Sequence, residues 1–134
     1  NKIKNKIKNK IKTKPKSKSK SKIIGSKQES VALKFLIKRN LKLICRNFNC
    51  QAGEIDIIMQ DQEYMVFIEV RYRKLNSYVS ACESVNYHKQ QKIIRASTYY
   101  LLQHNLYEKT PIRFDIIAID NHPTHPIHWI KNAF

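Results

Sequence analysis

The sequence has few cysteines and no long apolar run. Its three cysteines are odd in number and follow none of the spacings of a disulfide framework or a zinc knuckle. It contains no stretch of about 18 consecutive apolar residues, which argues against a membrane-spanning helix. The lysine-rich N-terminus also lacks the apolar segment of a secretory signal. We therefore expect reduced thiols, no membrane association and a cytoplasmic location.

Acidic residues are also scarce, and the charge imbalance is uneven along the chain. The chain holds 26 Lys and Arg against 10 Asp and Glu, a formal net charge of +16. Eleven of the lysines occupy every even position of residues 1–22, which contain no acid. Residues 23–134 hold the other 15 Lys and Arg and all 10 acids, a net charge of +5. That mildly basic remainder suits a polyanionic partner without establishing one.

Segment 1–22 is a low-complexity repeat, and its composition predicts a disordered tail. Lysines at alternate positions would surround any helix formed there and repel one another. One interpretation is a basic arm that binds phosphates without sequence preference. The other is an extension without selected function, because Lys, Ile and Asn share codons made only of A and T and the chain does not begin with Met. Residues 23–134 form the predicted folded domain.

Hydrophobic periodicity predicts two helices and five strands in that domain. Ser26 and Glu29 fit a capping box at the start of the first helix, and Asn40 fits its C-terminal end. The predicted elements are a helix over 27–39, strands over 41–48, 54–60 and 64–72, a loop over 75–82, a helix over 84–104, and strands over 113–119 and 127–130. The residues expected to face the core from the helices are Val31, Ala32, Phe35, Leu36, Val85, Ile93, Ala96, Tyr100 and Leu101. The order α-β-β-β-α-β-β predicts an α/β domain with one mixed sheet flanked by helices.

Carboxylates occupy strand positions where apolar residues are the rule. In the first strand of the clearest hairpin, Glu54 and Asp56 are expected to share one face, with Ile55 and Ile57 on the other. In the second strand, Glu69 interrupts a segment that is apolar on both sides. Buried carboxylates are costly unless they are paired, hydrogen-bonded or bound to metal. These acids are therefore candidates for a functional site.

The hairpin brings two of these acids close together. With its turn centred near residue 62, Asp56 is expected opposite position 68, within reach of Glu69. Two such oxygen ligands could coordinate Mg²⁺, which keeps several waters and uses phosphate oxygens as further ligands. The alternative is a structural ion-pair cluster in which Arg71 or Arg73 neutralises both carboxylates. Spacing alone leaves the two interpretations open.

Six blocks of the sequence carry a family resemblance. They are GSKQESVALKFL at 25–36, CRNFNCQAGEIDII at 45–58, VFIEVRYR at 66–73, SVNYHKQQKIIRAS at 84–97, RFDIIAID at 113–120 and HWIKNAF at 128–134. Together they resemble the YraN-like family of bacterial proteins over residues 25–134, without the lysine tail. The resemblance implies a restriction-endonuclease-like fold, whose nucleases use a helix acid, a strand Asp and a Glu-x-Lys motif. By position these fall on Glu29, Asp56, Glu69 and Arg71, with the three acids as ligands of Mg²⁺ or Mn²⁺.

Arg71 departs from the pattern that the resemblance implies. Lysine at this position can hold the attacking water and help to deprotonate it, whereas arginine stays protonated and cannot act as a base. Arg71 could still clamp a phosphate or stabilise developing charge. Lys74 and Lys89 are possible substitutes for the missing lysine. Nucleic-acid contacts are expected from Arg73, Lys74, Lys89 and Lys92, although the helix lysines could equally be ordinary solvated charges.

Two further patterns have a functional and a structural interpretation. His122, His125 and His128 are three residues apart, as zinc ligands could be, but two intervening prolines prevent a helix from bringing the rings together, which favours turn histidines. Asp115 lies in another apolar strand. A structural role is favoured, either a pair with Arg113 or a hydrogen bond to the backbone, and a place at the edge of the site is the alternative.

The sequence is consistent with three alternative functions. The leading expectation is a Mg²⁺- or Mn²⁺-dependent endonuclease-like hydrolase acting on DNA or on branched or processed nucleic acid. The second is a nucleic-acid-binding module with weakened or absent catalysis, for which Arg71 is the motivation. The third is an accessory protein that recruits partners through its sheet edge. The oligomeric state stays open.

Overall fold

A computed structural model of the chain describes residues 20–74 and 81–134, with side chains described in 25–74 and 83–134. The lysine repeat over 1–19 and residues 75–80 of the predicted loop lie outside the described residues. The elements are α1 (Lys20–Ile37), β1 (Lys42–Cys50), β2 (Gly53–Asp61), β3 (Tyr64–Tyr72), α2 (Ala81–Ser84), α3 (Tyr87–Gln103), β4 (Ile112–Ile119) and β5 (Ile127–Ile130). The predicted order is confirmed, with the short α2 added at the end of the predicted loop.

The strands form one five-stranded mixed sheet in the order β1-β2-β3-β4-β5. β1, β2 and β3 are antiparallel neighbours, β3 and β4 are parallel, and β5 returns antiparallel to β4. The connection between the parallel strands β3 and β4 contains α2 and α3. This α/β architecture is the one expected of a restriction-endonuclease-like fold.

The core lies on both faces of the sheet. On one face Ala32 and Leu36 of α1 pack in a cluster with Val66 and Ile68. On the other, Ala96, Tyr100 and Leu101 of α3 pack in a cluster with Met65 and Phe67. Alternate residues of β3 therefore enter opposite clusters, which explains why residues 65–68 of this strand are all apolar. The helix positions predicted to face the core are buried, or half-buried and packed against it.

The start of α1 differs from the prediction. The helix begins at Lys20, inside the segment assigned to the disordered tail, so Ser26 lies within it and is not its N-cap. The Ser30 hydroxyl donates a hydrogen bond to the Ser26 carbonyl, a contact within the helix. Local sequence suggested a cap because Ser and Glu at this spacing also occur inside helices. At the other end Asn40, with a φ of 70°, ends the helix in the left-handed conformation as predicted.

The helix after the loop begins later than predicted, because Asn86 caps it. The Asn86 side chain accepts a hydrogen bond of 2.9 Å from the Lys89 N–H. Asn is among the residues preferred at this position, since its oxygen satisfies an amide that has no partner within the helix. Val85, predicted to open the helix, precedes the cap and is fully buried. The cap fixes the residue at which α3 begins, and with it the direction of the Lys89 side chain and of the helix side chains that follow.

Strand β2 changes face at Asp56. Ile55 packs in the cluster beneath α3 and Ile57 in the cluster beneath α1, so the prediction that they share a face is wrong. This change of face lies between the β1–β2 residue pairs Phe48–Ile55 and Arg46–Ile57, which keep the same register. Between Arg46 and Phe48, Asn47 has a φ of 52°, which interrupts the regular pleat of β1. The alternation is therefore lost at the position that carries the carboxylate.

No helix in the two described ranges is long and apolar enough to cross a membrane.

Candidate functional site

Asp56 and Glu69 meet across the β2–β3 hairpin. The register pairs Ile57 with Ile68, so Asp56 and Glu69 are the next residues along the two strands. Their side chains are hydrogen-bonded to each other. The Val70 N–H also donates to Asp56 Oδ2 at 2.8 Å, which holds that carboxylate in place. The prediction that the two acids lie close together is confirmed. The register places Asp56 across from Glu69, whereas the sequence placed it across from residue 68.

Burial gives these two carboxyl groups unusual electrostatics. Glu69 is 5% exposed and Asp56 is half-buried. Burial, followed by the charge of Asp56, raises the pKa of Glu69 to about 8. Burial also raises the pKa of Asp56, against the opposing effect of the Val70 N–H. Near neutral pH the two carboxyl groups therefore favour sharing one proton, held in the hydrogen bond between their side chains.

Two cations face Glu69 from different elements. Arg71 Nε lies 3.5 Å and Lys89 Nζ 3.7 Å from Glu69 Oε1. Arg71 comes from β3 itself, whereas Lys89 comes from the first turn of α3. The Arg71 guanidinium is also held by the Ser84 carbonyl, which accepts from Nη2 at 3.2 Å. Of the two possible substitutes for the missing lysine, the structure places Lys89 at the acid pair.

Glu29 of α1 lines the same cavity but pairs elsewhere. Arg46 Nη2 lies 3.8 Å from Glu29 Oε2, and this nitrogen also donates to the Ser30 hydroxyl at 3.2 Å. Glu29 Oε2 is buried and has no hydrogen-bond partner. Burial, followed by the charge of Asp56, raises the pKa of Glu29. Sequence reasoning missed Arg46, because only the docking of α1 against β1 brings it to Glu29.

The three acids open onto one cavity of about 410 Å³. Its lining residues are Gly25, Gln28, Glu29, Asp56, Glu69, Val70 and Tyr72. The cavity therefore lies between the N-terminal half of α1 and the ends of β2 and β3, where Asp56 interrupts the apolar packing. A divalent cation entering it would meet carboxylate oxygens from two strands and a helix.

The residues present fit a hard divalent cation held mainly by the acid pair. Within residues 25–74 and 83–134, no three His, Cys, Asp or Glu side chains converge as a ready-made metal site. Mg²⁺ does not require three, because it is usually bound through one or two carboxylates and completes its shell with water and phosphate oxygens. Asp56 and Glu69 supply that minimum. Glu29, which also lines the cavity and whose Oε2 accepts no hydrogen bond, offers a third carboxylate from α1.

The predicted nucleic-acid contacts fall in two places. Arg73 and Lys74 follow β3, where the Arg73 N–H donates to the Ile119 carbonyl at 2.9 Å. Lys89 and Lys92 lie on α3, and Lys92 is exposed. The structure thus brings Lys89 to the acid pair and leaves Lys92 facing solvent on the same helix.

Asp115 has a structural environment. Its carboxylate accepts from Arg113 Nε and Nη2 at 2.9 and 3.0 Å, from Trp129 Nε1 at 2.9 Å and from the Asn132 N–H at 3.0 Å. Arg113 Nη2 also donates to Asp61 at 2.8 Å. The fully buried Asp115 thereby ties β4 to the C-terminal segment, and the predicted pairing with Arg113 is confirmed.

The three histidines lie in and beside the connection from β4 to β5. His122 Nδ1 accepts from the His125 N–H at 3.0 Å, and His128 Nε2 lies 2.9 Å from Asp120 Oδ2. The His122 N–H donates to Asp120 Oδ1, which together with His128 lowers the pKa of Asp120. His122 and His125 are therefore turn histidines, as interpreted from the sequence, whereas His128 lies on β5.

Comparison with known proteins places the chain in a family. A family model described as Uncharacterised protein family UPF0102 matches residues 28–119. A UPF0102 protein of Legionella pneumophila is 43% identical over 110 residues, which cover 82% of this chain and 92% of that protein. UPF0102 proteins of Pseudomonas syringae pv. syringae and Saccharophagus degradans are 41% and 42% identical, each covering 82% of this chain and 91% of the relative. Since the model matches more than half of the sequence, the chain belongs to the UPF0102 family, the YraN-like family whose motifs it carries.

Proposed function

We propose that the protein is a Mg²⁺- or Mn²⁺-dependent hydrolase of phosphodiester bonds in nucleic acid, with DNA as its principal substrate. The observation that carries the proposal is the hydrogen-bonded pair of the half-buried Asp56 and the buried Glu69, which meet across the hairpin and line one cavity. A carboxylate pair is costly in an apolar sheet, and cation binding would offset that cost. Two cationic side chains beside Glu69 add binding groups for a phosphate.

Asp56 and Glu69 would hold the cation, and Glu29 would contribute an oxygen from α1. Glu69 must release its proton to do so. A divalent cation held there neutralises phosphate charge and lowers the pKa of water. Hydrolysis adds water across one P–O ester bond: the hydroxyl goes to phosphorus, and the leaving oxygen takes up a proton.

Lys89 and Arg71 have different roles in this proposal. The Lys89 ammonium is a compact donor on a flexible stem, so it could donate to a phosphate oxygen bound beside Glu69. The Arg71 guanidinium is held by Ser84 and acts as a fixed positive charge. Lys89 therefore supplies from α3 the ammonium that the Glu-x-Lys motif carries on the strand.

The test is cleavage of linear duplex, single-stranded and junction DNA by the full chain with Mn²⁺. We expect Asp56→Asn and Glu69→Gln each to abolish cleavage and to weaken Mn²⁺ binding measured by calorimetry. Glu63→Gln is the matched control, since it removes an exposed carboxylate in the β2–β3 turn and should leave both unchanged. Cleavage that survives both site substitutions would exclude this site as its source.

A second function has a specific observation in its favour. Arg71 stands where the motif has Lys and remains charged, so the site has no strand lysine to act as a base. A binding module without catalysis would bind DNA in a salt-dependent manner with no metal requirement. If no substrate is cut by the wild-type chain or by Arg71→Lys, while binding persists in EDTA, this second function replaces the first.

A further inference from the structure

Three exposed polar side chains form a ridge along α3. His88, Lys92 and Arg95 are spaced by four and three residues, so they lie on one helix face, and all three are exposed. At a rise of about 1.5 Å per residue, this α3 ridge is roughly 10 Å long.

The α3 ridge is free of negative charge within its helix and begins beside the acid pair. The helix Tyr87–Gln103 contains no Asp or Glu. Lys89, the neighbour of His88 in sequence, reaches Glu69 from the partly buried side of the helix. A strand of phosphates lying on the ridge would therefore end one residue from the lysine that contacts Glu69.

The helix that carries the ridge is firmly seated. Its opposite face buries Ile93, Ala96 and Tyr100 against the sheet. The β1–β2 turn also approaches it closely, because a Cβ placed on Gly53 would lie 3.5 Å from the Lys92 Cβ. The charged groups thus project from a fixed base, which lowers the conformational entropy lost on binding a regular surface.

We propose that the α3 ridge binds the phosphate backbone of duplex DNA and aligns one strand with the Asp56–Glu69 pair. This inference rests on the proposed function, since it takes nucleic acid as the substrate. Each strand has one phosphate per about 3.4 Å of the duplex axis, so a ridge of roughly 10 Å covers the axial length of about three phosphates. Single-strand binding relies on aromatic rings that stack bases. The exposed Tyr87 lies off the ridge, and the exposed Tyr99 lies on its face one turn beyond Arg95, so no tyrosine lies between Lys92 and Arg95.

The experiment measures DNA binding by the full chain in EDTA, where no metal-dependent cleavage occurs. Fluorescence anisotropy with a short duplex and with the same sequence single-stranded is followed as the salt concentration rises. The ridge variant is Lys92→Gln/Arg95→Gln. The matched control is Lys34→Gln/Lys38→Gln, which removes two exposed cations from and beside α1 on the other face of the sheet. Circular dichroism verifies that both variants fold.

For the duplex, we expect the ridge variant to reduce the slope of log affinity against log salt by about 1.8, or about 0.9 for each lost phosphate contact. The control should keep the wild-type slope. Equal losses in the two variants, or a ridge effect confined to single strands, would overturn the inference. If the ridge variant lowers the salt slope but no assay detects cleavage, the α3 ridge still binds duplex DNA and the proposed hydrolase is excluded. If the protein cleaves DNA but the ridge variant keeps the wild-type slope, the hydrolase stands and the inference about the ridge is excluded.

Discussion

The Lys89 ammonium lies 3.7 Å from Glu69 Oε1, across the gap between the start of α3 and the middle of the sheet. Lys89 is 20 positions along the chain from Glu69, so no local motif links the two residues. The N-cap at Asn86 sets the first turn of α3 and with it the direction of Lys89. A lysine beside the strand Glu is thus present, although Arg71 occupies the motif position.

Lys89→Met should reduce the proposed DNA cleavage by on the order of 100-fold, because it removes the mobile ammonium beside Glu69. Lys89→Arg should retain part of the activity if the group acts through charge alone. Initial cleavage rates at saturating Mn²⁺ are the measurement. Lys74→Met is the comparison, and a larger loss there than at position 89 would assign the missing lysine to Lys74.

Mn²⁺ binding should strengthen with rising pH. The cation requires an ionised Glu69, whose pKa is raised to about 8, so binding near pH 7 releases a proton. Apparent affinity should rise about tenfold per pH unit below that pKa and level off above it. Calorimetry in buffers of different ionisation enthalpy measures both affinity and released protons. Glu69→Gln should abolish the proton release, and an unchanged release would locate the proton elsewhere.

The metal-free protein should lose stability as pH rises from the ordinary Glu range towards 8. Because the pKa of Glu69 is raised on folding, the folded state binds this proton more tightly than the unfolded state. Its contribution is greatest at low pH and falls by at most about 1.4 kcal/mol per pH unit between 4.5 and about 8.

Urea unfolding in EDTA across this pH range measures the effect. Glu69→Gln should flatten the decline, since glutamine carries no proton to lose, while Glu63→Gln should follow the wild type. A wild-type profile that does not fall would contradict the raised pKa. Mn²⁺ should restore stability most strongly at the alkaline end.

Asp115→Ala should destabilise the domain by about 3–5 kcal/mol, because it leaves the Arg113 charge and the Trp129 N–H without their buried acceptor. Asp61→Ala should cost about 1 kcal/mol or less, since the paired oxygens of Asp115 still hold Arg113. Urea unfolding at constant pH and without metal compares the two. Similar losses of unfolding free energy in the two variants would mean that Asp61 stabilises the Arg113 side chain as much as Asp115 does.

The hairpin is the part of the site that could be predicted most directly. A short polar turn between two alternating segments sets the register, so Asp56 and Glu69 had to meet within a residue. The start of α1 was predicted wrongly, because Ser and Glu three residues apart fit the interior of a helix as well as a capping box. The face change at Asp56 was also missed, since it depends on the left-handed conformation of Asn47 on the neighbouring strand.

The order of elements, the mixed sheet and the Asp56–Glu69 pair follow from periodicity and turn spacing, which are local properties of the sequence. Tertiary structure alone decided the rest of the site. The docking of α1 turned Glu29 towards the cavity yet paired it with Arg46, and the docking of α3 carried Lys89 to Glu69. These contacts join residues distant in sequence through helix packing against opposite faces of the sheet. Their partners are therefore set by the geometry of the core and not by the spacing of the motifs.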